Sequence, residues 1–483
     1  MSRIVAGPFN RVEGDLEITL QTASGKVQSA EVNSPLYRGF ERILLGHKPM
    51  DALVYTPRIC GICSVTQSVA SARALADVMN LSMPVNGELC TNLVLANENI
   101  TDLLTHFYLF FMPDFARDTY ADKPWFNDIH SRFKATSGSA AAQMLPARAD
   151  FLHLMGIMAG KWPHTLSLQP GGVAKAIEPK ERMRLLAIVA GFKRFLENTL
   201  FGDSLATISQ LQSEAELWQW CDEKDWQQSD FRRFLQVARV QELSTLGRGT
   251  DHFLSFGAYG LQGQTLWASG SYCQGDNKPL AISQIAEDHS HSWMTNTGSP
   301  HPPAQGITQP SLDNEAGYSW CKAPRLANQV VEVGPLARQV VDGHPLIRDL
   351  VARSGGNVLS RIVARLLEMA LVVQQMELWI KQIDPKAPFC HHGEMPGEAR
   401  GVGLVEAARG SLGHWLEVKN GKISNYQIIA PTSWNFSPRD NQEQPGALEQ
   451  AVVGAPVAEG EKTPVSVQHI VRSFDPCMAC TVH

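Results

Sequence analysis

The stretches Cys60-Gly61-Ile62-Cys63 and Cys477-Met478-Ala479-Cys480 decide how this 483-residue chain must fold, because each places two cysteines three positions apart. A Cys-x-x-Cys turn brings two thiols close enough to bind one metal ion, and two such turns supply four soft ligands. The pairs are much too distant in sequence for a zinc ribbon, whose pairs lie roughly 15–20 residues apart. A shared site therefore requires the fold to join the two ends. Two separate redox or structural pairs are the alternative that spacing leaves open.

Composition narrows the class of protein. The net charge of −6 gives no basic surface, so nucleic acid is not an expected partner. No apolar run reaches about 18 residues, so no membrane span is expected. The start of the chain, MSRIVAGPFNRVEG, lacks the apolar core of a signal peptide. Five cysteines stand alone and are interpreted as small buried thiols of a reducing compartment, which predicts a cytoplasmic protein. They are Cys90, Cys221, Cys273, Cys321 and Cys390.

Periodicity predicts an α+β protein that is mainly α, with a central bundle of long buried helices and β-hairpins at its periphery. The strongest helix is 355–383, where apolar residues keep helical spacing and then occur nearly all round. Because both ends must share one site, residues 1–483 are interpreted as a single domain. The other predicted elements are helices at 64–80, 88–111 and 182–201, hairpins around Ser24-Gly25 and Asn420-Gly421, and a surface loop at 436–464.

Several short motifs occur in one order along the chain: RVEG (11–14), RGFE (38–41), RICGIC (58–63), EDHSHSW (287–293), RGSLGHW (409–415), APTSWN (430–435) and DPCMACTVH (475–483). Together they resemble the large subunit of nickel–iron hydrogenases, nearly from end to end. The resemblance implies that family's large-subunit fold. It also implies a nickel ion bound by Cys60, Cys63, Cys477 and Cys480. Cys63 and Cys480 would bridge to an iron that carries carbon monoxide and cyanide.

The resemblance also assigns roles to residues that are ordinarily solvated surface charges. The family's RVEG glutamate, here Glu13, takes the proton released at a nickel-bound cysteine, here Cys477, when dihydrogen is split heterolytically. Arg409 matches a guanidinium above the open metal position, and Asp102 and Asp475 match outer acids beside the centre. Thr432 matches a hydroxyl that donates to a cyanide.

A second metal site is implied beneath the first. In the family pattern a magnesium or similar divalent ion is held by the RGxE glutamate, here Glu41, by a backbone carbonyl, here that of Ile428, and by the C-terminal histidine, here His483. A hard cation held by carboxylate and carbonyl oxygens is ordinary chemistry. The histidine ligand is less usual and rests on the resemblance.

The chain departs from the usual family pattern at several positions. Gln67 stands where most members carry a histidine; its amide can donate to a cysteine sulfur but cannot titrate. Ile62 and Phe110 are bulkier than the usual valine and leucine, and Ala408 replaces a proline before Arg409. Gln67 is a feature that the resemblance associates with the dihydrogen-sensing branch and with some related uptake enzymes. An end of the chain at His483 is expected in that branch too.

Three functions follow from these features. The favoured one is a regulatory dihydrogen sensor of low turnover that signals to a histidine kinase. The second is a catalytic uptake hydrogenase of a respiratory chain, and the third is a non-catalytic zinc-binding or interaction protein. No further iron–sulfur cysteine set occurs in the chain, so the clusters are expected only on a small-subunit partner. A heterodimer, or a dimer of heterodimers, and nickel–iron maturation chaperones are the implied assemblies.

Overall fold

The computed structural model describes residues 2–296 and 298–483, which form a mixed helical and stranded fold that is mainly helical. The predicted fold class is therefore confirmed. One continuous cluster of buried apolar side chains extends from Ala6 to Cys480. The α-helices are Phe40–Ile43, Ala52–Tyr55, Ser64–Val78, Val85–Thr105, Phe126–Phe133, Ser139–Ala159, Pro179–Phe195, Leu205–Ser209, Glu214–Asp222, Asp230–Val240, Pro335–Asp342, Pro345–Ser354, Val358–Gln382, Pro431–Asn435, Ala447–Val452, Val465–Phe474 and Met478–Thr481.

The helix Val358–Gln382 lies at the centre, as its sequence predicts, and packs against Val85–Thr105 and Pro179–Phe195. Asn357 and Ser360 cap its start through reciprocal hydrogen bonds. Two of its buried charges form ion pairs: Arg361 contacts Glu332 at 2.8 Å, and Glu368 contacts a neighbouring arginine at 2.8 Å. Within the described ranges, none of the helices is both long and apolar enough to cross a lipid bilayer.

In the part of the chain that the structure describes, five small antiparallel sheets accompany the helices. Both predicted hairpins are present, with turns at Ser24-Gly25 and Asn420-Gly421. The three-stranded sheets are Ser2–Ala6, Glu17–Ala23 and Lys26–Asn33; His252–Leu261, Gln264–Cys273 and Asp276–Lys278; and Ala399–Ala407, Gly410–Lys419 and Lys422–Ile429. The two-stranded sheets pair Leu168–Gln169 with Gly172–Val173 and Ile285–Asp288 with Ala323–Leu326.

Two glycines allow the helix that follows the first cysteine pair to pack closely against one of these sheets. The helix Ser64–Val78, which begins directly after Cys63, packs against the strand Ala399–Ala407. A Cβ atom at Gly403 would lie 1.9 Å from the Ala70 carbonyl oxygen, and one at Gly401 would lie 2.4 Å from that of Ala74. No side chain fits in either place, so these glycines set how closely the helix approaches the sheet.

The predicted surface loop at 436–464 is wrong in part. The segment contains the helix Ala447–Val452, and several of its residues are buried. Its polar groups bond inward: Glu449 accepts from the backbone N–H of Val32 (2.9 Å) and from the Tyr318 hydroxyl (2.8 Å). Asp440 likewise accepts from Arg325 at 2.7 Å. Polarity in the sequence therefore reflects internal hydrogen bonding here rather than contact with water.

Candidate metal centre

The fold brings the two cysteine pairs together, as their spacing demands of a shared site. Cys63 directly precedes the helix Ser64–Val78, and Cys477 directly precedes the short helix Met478–Thr481. The Sγ atoms of Cys63 and Cys480 lie 3.0 Å apart, those of Cys477 and Cys480 3.0 Å, and those of Cys60 and Cys477 3.6 Å. All are free thiols. Four sulfur atoms therefore converge from opposite ends of the chain.

Neighbouring thiols shift one another's pKa values. Contacts with the other three cysteines hold the pKa of Cys60 well below its usual value. Contacts with Cys477 and Cys60, reinforced by burial, keep the pKa values of Cys63 and Cys480 well above theirs. Four adjacent thiolates repel one another unless a cation lies among them. The donor set thus fits a soft divalent metal whose binding releases the thiol protons.

A buried arginine lies beside the sulfur atoms. Arg409 donates from Nη1 to Asp102 Oδ2 (2.7 Å), from Nη2 to Asp475 Oδ1 (3.1 Å) and from Nε to the Asp475 carbonyl (2.9 Å). Burial opposes the charge on Arg409, but the two carboxylates outweigh it and its pKa is well above the usual value. Burial raises the pKa of Asp102 to about 8, and the guanidinium limits that rise. Arg409 is thus a fixed cation.

A small cavity, with room for roughly one water molecule, is lined by the arginine and by three of the sulfurs. Ile62, Gln67, Asp102, Arg409 and Thr432 line it together with Cys63, Cys477 and Cys480. Thr432 Oγ1 accepts the backbone N–H of Cys477 at 3.1 Å, which leaves its own hydroxyl proton available to an acceptor. A small acceptor ligand inside the cavity would find both a hydroxyl and a guanidinium donor.

Glu13 reaches the second cysteine pair through its backbone. Its carbonyl accepts the N–H of Met478 at 2.6 Å, and an isolated parallel bridge pairs Glu13 with Cys477. The side chain is half-buried. Burial raises the pKa of the Glu13 carboxyl, Arg409 opposes that rise, and Cys60 adds to it. A carboxyl group with a raised pKa beside a thiol suits reversible proton transfer.

Gln67 belongs to a hydrogen-bonded chain that sequence reasoning did not foresee. Its Oε1 accepts from His414 Nε2 at 2.8 Å, and His414 Nδ1 contacts the Tyr426 hydroxyl at 2.8 Å. All three residues are buried, and burial lowers the pKa of His414 to about 3. The histidine beside Gln67 is therefore neutral, and the amide carries no charge toward the sulfurs.

Glu98 is a further cavity-lining residue that the sequence prediction missed. Its buried carboxylate accepts from the backbone N–H groups of Val65 (2.8 Å) and Thr66 (2.9 Å) and from Trp162 Nε1 (2.9 Å). It thereby caps the helix that begins after Cys63. Burial raises its pKa to about 7. The sequence did offer a signal for Glu98, because it precedes Asp102 by four residues and therefore lies on the same face of the helix.

A second cluster of the residues singled out in the sequence lies beyond Cys480, where Glu41, the Ile428 carbonyl and His483 converge. His483 Nε2 lies 2.7 Å from the Ile428 oxygen and 3.6 Å from Glu41 Oε1, while Nδ1 lies 2.8 Å from the Cys480 carbonyl. A neutral imidazole has one N–H and cannot donate to both carbonyls. A cation held by Nε2, the Ile428 oxygen and Glu41 would resolve that conflict and would leave Nδ1–H to the Cys480 carbonyl, the usual arrangement for a metal-bound histidine.

Other polar residues complete this second site. Lys322 Nζ contacts Glu287 at 2.9 Å, Gln427 at 3.0 Å and Glu41 at 3.5 Å, and Thr308 donates to Glu41. Burial opposes ionisation of Glu41, but Lys322 and His483 hold its pKa at about 2. Two carboxylates face one ammonium, so the site keeps spare negative charge for a cation. The sequence analysis assigned no role to these added residues, although Glu287 begins the EDHSHSW motif.

Comparison with known proteins gives one consistent result. The profile of the family described as nickel-dependent hydrogenase matches residues 38–124 and 139–483. The periplasmic [NiFeSe] hydrogenase large subunit of Desulfomicrobium baculatum is 29% identical, over 100% of this chain and 95% of the relative. Hydrogenase-2 large chain of Escherichia coli is also 29% identical, over 100% and 97%. The solved Ni-Fe-Se hydrogenase of D. vulgaris Hildenborough superposes with a TM-score of 0.84 at 28% identity, with 100% of both chains covered.

Proposed function

Because this chain belongs to the nickel-dependent hydrogenase family and is the large subunit of such an enzyme, we propose that Cys60, Cys63, Cys477 and Cys480 hold a nickel–iron centre that splits dihydrogen heterolytically. The observation that carries the proposal is the convergence of four thiols beside a cavity topped by Arg409. When bound, the centre supplies an open soft-metal position where dihydrogen is polarised and its electron pair is accepted.

Residues of this chain accept and transfer the proton that dihydrogen releases. The Cys477 thiolate takes it and passes it to the Glu13 carboxylate, whose backbone is bridged to Cys477. Arg409, fixed by Asp102 and Asp475, keeps a positive charge against the cavity throughout. The free hydroxyl proton of Thr432 suits a cyanide acceptor, which supports iron-bound cyanide, and carbon monoxide would complete the ligands as in the family pattern.

The second site would hold Mg²⁺ or a similar divalent ion through Glu41, the Ile428 carbonyl and His483. Its role is structural: Cys480 accepts from the same histidine, so the ion ties the C-terminus to the sulfur cluster. The electron pair leaves through iron–sulfur clusters on a small subunit, with which hydrogenase large subunits pair. Residues 1–483 would act as one domain in a cytoplasmic heterodimer loaded by maturation chaperones.

Metal analysis combined with isotope exchange tests this function. The heterodimer should contain nickel and iron, and under D2 in H2O it should release HD and H2 because the split molecule exchanges its proton with solvent. Zinc in place of nickel, together with no exchange, would leave only the non-catalytic zinc-binding interpretation.

We further propose a sensory rather than a respiratory role, with a histidine kinase as the downstream partner. Gln67 supports it, because an amide on a neutral histidine keeps the charge near the sulfurs constant across pH. Ile62 supports it as well, since this bulky side chain lines the cavity, where it would narrow the path of a gas molecule. Phe110, half-buried beyond the helix Val85–Thr105, adds bulk outside that cavity. Slow, selective access suits detection better than high turnover.

A catalytic uptake role is the second candidate. Its support is the names of relatives, among them the uptake hydrogenase large subunit of Cupriavidus necator, 27% identical over 100% of this chain and 95% of the relative. A high rate of dihydrogen oxidation by the heterodimer with an artificial electron acceptor would favour it over sensing.

Gln67→His tests whether this position tunes the centre. The new imidazole would add a titrating group beside neutral His414. Burial lowers its pKa below the usual value of roughly 6–7, so a positive charge near the bridging sulfurs would form only as the pH falls below that value. We expect infrared bands of the iron ligands that shift and become pH-dependent on the acid side, with nickel still bound. Gln67→Met, of similar length and without a titrating group, should shift the bands without adding pH dependence. Bands identical to wild type at every pH would show that Gln67 has no tuning role.

A further inference from the structure

A single buried carboxylate gathers three arginines from separate parts of the chain. Asp114 is fully buried and accepts from Arg117 Nη2 (2.6 Å), from Arg472 Nη1 (2.6 Å) and from Arg11 Nη2. His469 Nδ1 lies 3.3 Å away. Burial opposes ionisation of Asp114, but His469 and Arg472 outweigh it and hold its pKa well below the usual range. These five residues, called here the Asp114 cluster, play no part in the site described above.

The Asp114 cluster contacts the N-terminal segment at two adjacent residues, Asn10 and Arg11. Arg472 donates from Nη2 to both the carbonyl and Oδ1 of Asn10, each at 2.7 Å. Arg11 also donates to the Phe110 carbonyl at 3.5 Å. Arg472 lies on the helix Val465–Phe474, directly before Asp475 and Cys477. The N-terminal segment is thus tied to the helix that delivers the second cysteine pair.

Glu13 lies two positions after Arg11, the last residue that the Asp114 cluster contacts in this segment. The segment between the strands Ser2–Ala6 and Glu17–Ala23 has no ladder of its own, so tertiary contacts must place it. Upstream the Asp114 cluster holds residues 10 and 11; downstream Glu13 pairs with Cys477. Gly14 permits that docking, because its φ is +79° and an added Cβ would lie 3.2 Å from the backbone nitrogen of Ala479. Among the described residues, none donates a hydrogen bond to the Glu13 carboxylate, so backbone placement alone aims it.

We infer that Asp114 is a positioning residue for proton transfer: by anchoring Arg11 and Arg472 to one carboxylate, it fixes the segment that aims Glu13 at Cys477. The inference rests on the proposed role of Glu13 as proton acceptor. Asp114 itself touches neither the cavity nor the sulfurs. Its effect should therefore fall on the exit of the proton and leave the metal ligands unchanged.

Arg11→Gln tests the inference while leaving Asp114 two guanidinium partners, so the fold keeps its buried ion pairs. We expect the D2/H2O exchange rate of the heterodimer to fall roughly tenfold, since a misplacement of about 1 Å can cost more than that. The share of HD among the products should rise, because slow proton exit limits double exchange. Nickel content and infrared bands should match wild type.

Arg117→Gln is the matched control. It removes the same charge from the same carboxylate, but Arg117 is not part of the N-terminal segment. It should leave the exchange rate within about twofold of wild type. An equal loss of exchange rate in both variants, or no loss in Arg11→Gln, would overturn the inference. The cluster would then only stabilise the fold.

A second readout separates this inference from the proposed function. The backbone N–H of Met478, which donates to Glu13, should exchange with deuterium faster in the Arg11→Gln heterodimer than in wild type or Arg117→Gln. That measurement needs no dihydrogen activation. Absent D2/H2O exchange in wild type would refute the proposed function, whereas unchanged Met478 protection in Arg11→Gln would refute the positioning role.

Discussion

Serine in place of Cys480 is expected to abolish dihydrogen activation. The Cys480 sulfur lies 3.0 Å from those of both Cys63 and Cys477, so it is the hub of the cluster. A hard hydroxyl replaces a soft thiolate, and the four ligands act as one unit. We expect a loss of more than about 100-fold, because even outer-shell partners commonly change metal affinity or activity 10–100-fold. D2/H2O exchange and nickel content of the heterodimer measure it, and Cys60→Ser, Cys63→Ser and Cys477→Ser should behave alike.

Cys90→Ser is the control for this series. Cys90 is a buried free thiol in the helix Val85–Thr105, so its replacement imposes a comparable packing change away from the metal cluster. It should keep nickel and most of the exchange activity. If even one of the four cluster variants kept full activity with unchanged metal content, the cysteines would not form a single site.

The sequence alone predicts the cysteine ligands of the site, because cysteine is a rare residue type and the two pairs have the close spacing of metal ligands. Two Cys-x-x-Cys turns cannot serve one metal unless the chain ends meet, and they meet. Hairpin turns at Asn420-Gly421 and strong helical periodicity in 355–383 are local signals, so they survive without knowledge of tertiary structure. Glu13, Arg409 and Thr432 could be placed only through family motifs, because a lone charge or hydroxyl is ordinarily a surface group.

The sequence did not predict the residues that support the site through contacts between distant positions in the chain. His414 contacts Gln67 across 347 positions of sequence, and Lys322 approaches Glu41 across 281. Such pairs depend on which strand faces which helix, and no local pattern encodes that. Glu98 is a partial exception, because its position four residues before Asp102 places it on the same helix face. An acid in a helix usually faces water, however, and the sequence did not predict that this one caps another helix beside the cavity. Buried charges are recognisable only once their partners are known.

Glu13→Gln is expected to stop proton exchange while the centre stays intact. Glutamine keeps the size and the hydrogen-bonding groups of the side chain but cannot take a proton from Cys477. A positioned acid–base group contributes roughly 100- to 10,000-fold, so D2/H2O exchange should fall by at least about 100-fold. That loss exceeds the one expected for Arg11→Gln, which only misplaces the carboxylate. Nickel content, iron content and the infrared bands of the iron ligands should remain near wild type.

Asp15→Asn is the matched control, because Asp15 is an exposed acid two positions away and outside the contacts with the second cysteine pair. It removes the same charge from the same segment, so a purely electrostatic effect on the centre would appear in both variants. An effect confined to Glu13→Gln assigns the loss to proton transfer itself. Exchange at the wild-type rate in Glu13→Gln would mean that the proton leaves by another route, for which buried Glu98 beside the cavity would become the first residue to replace.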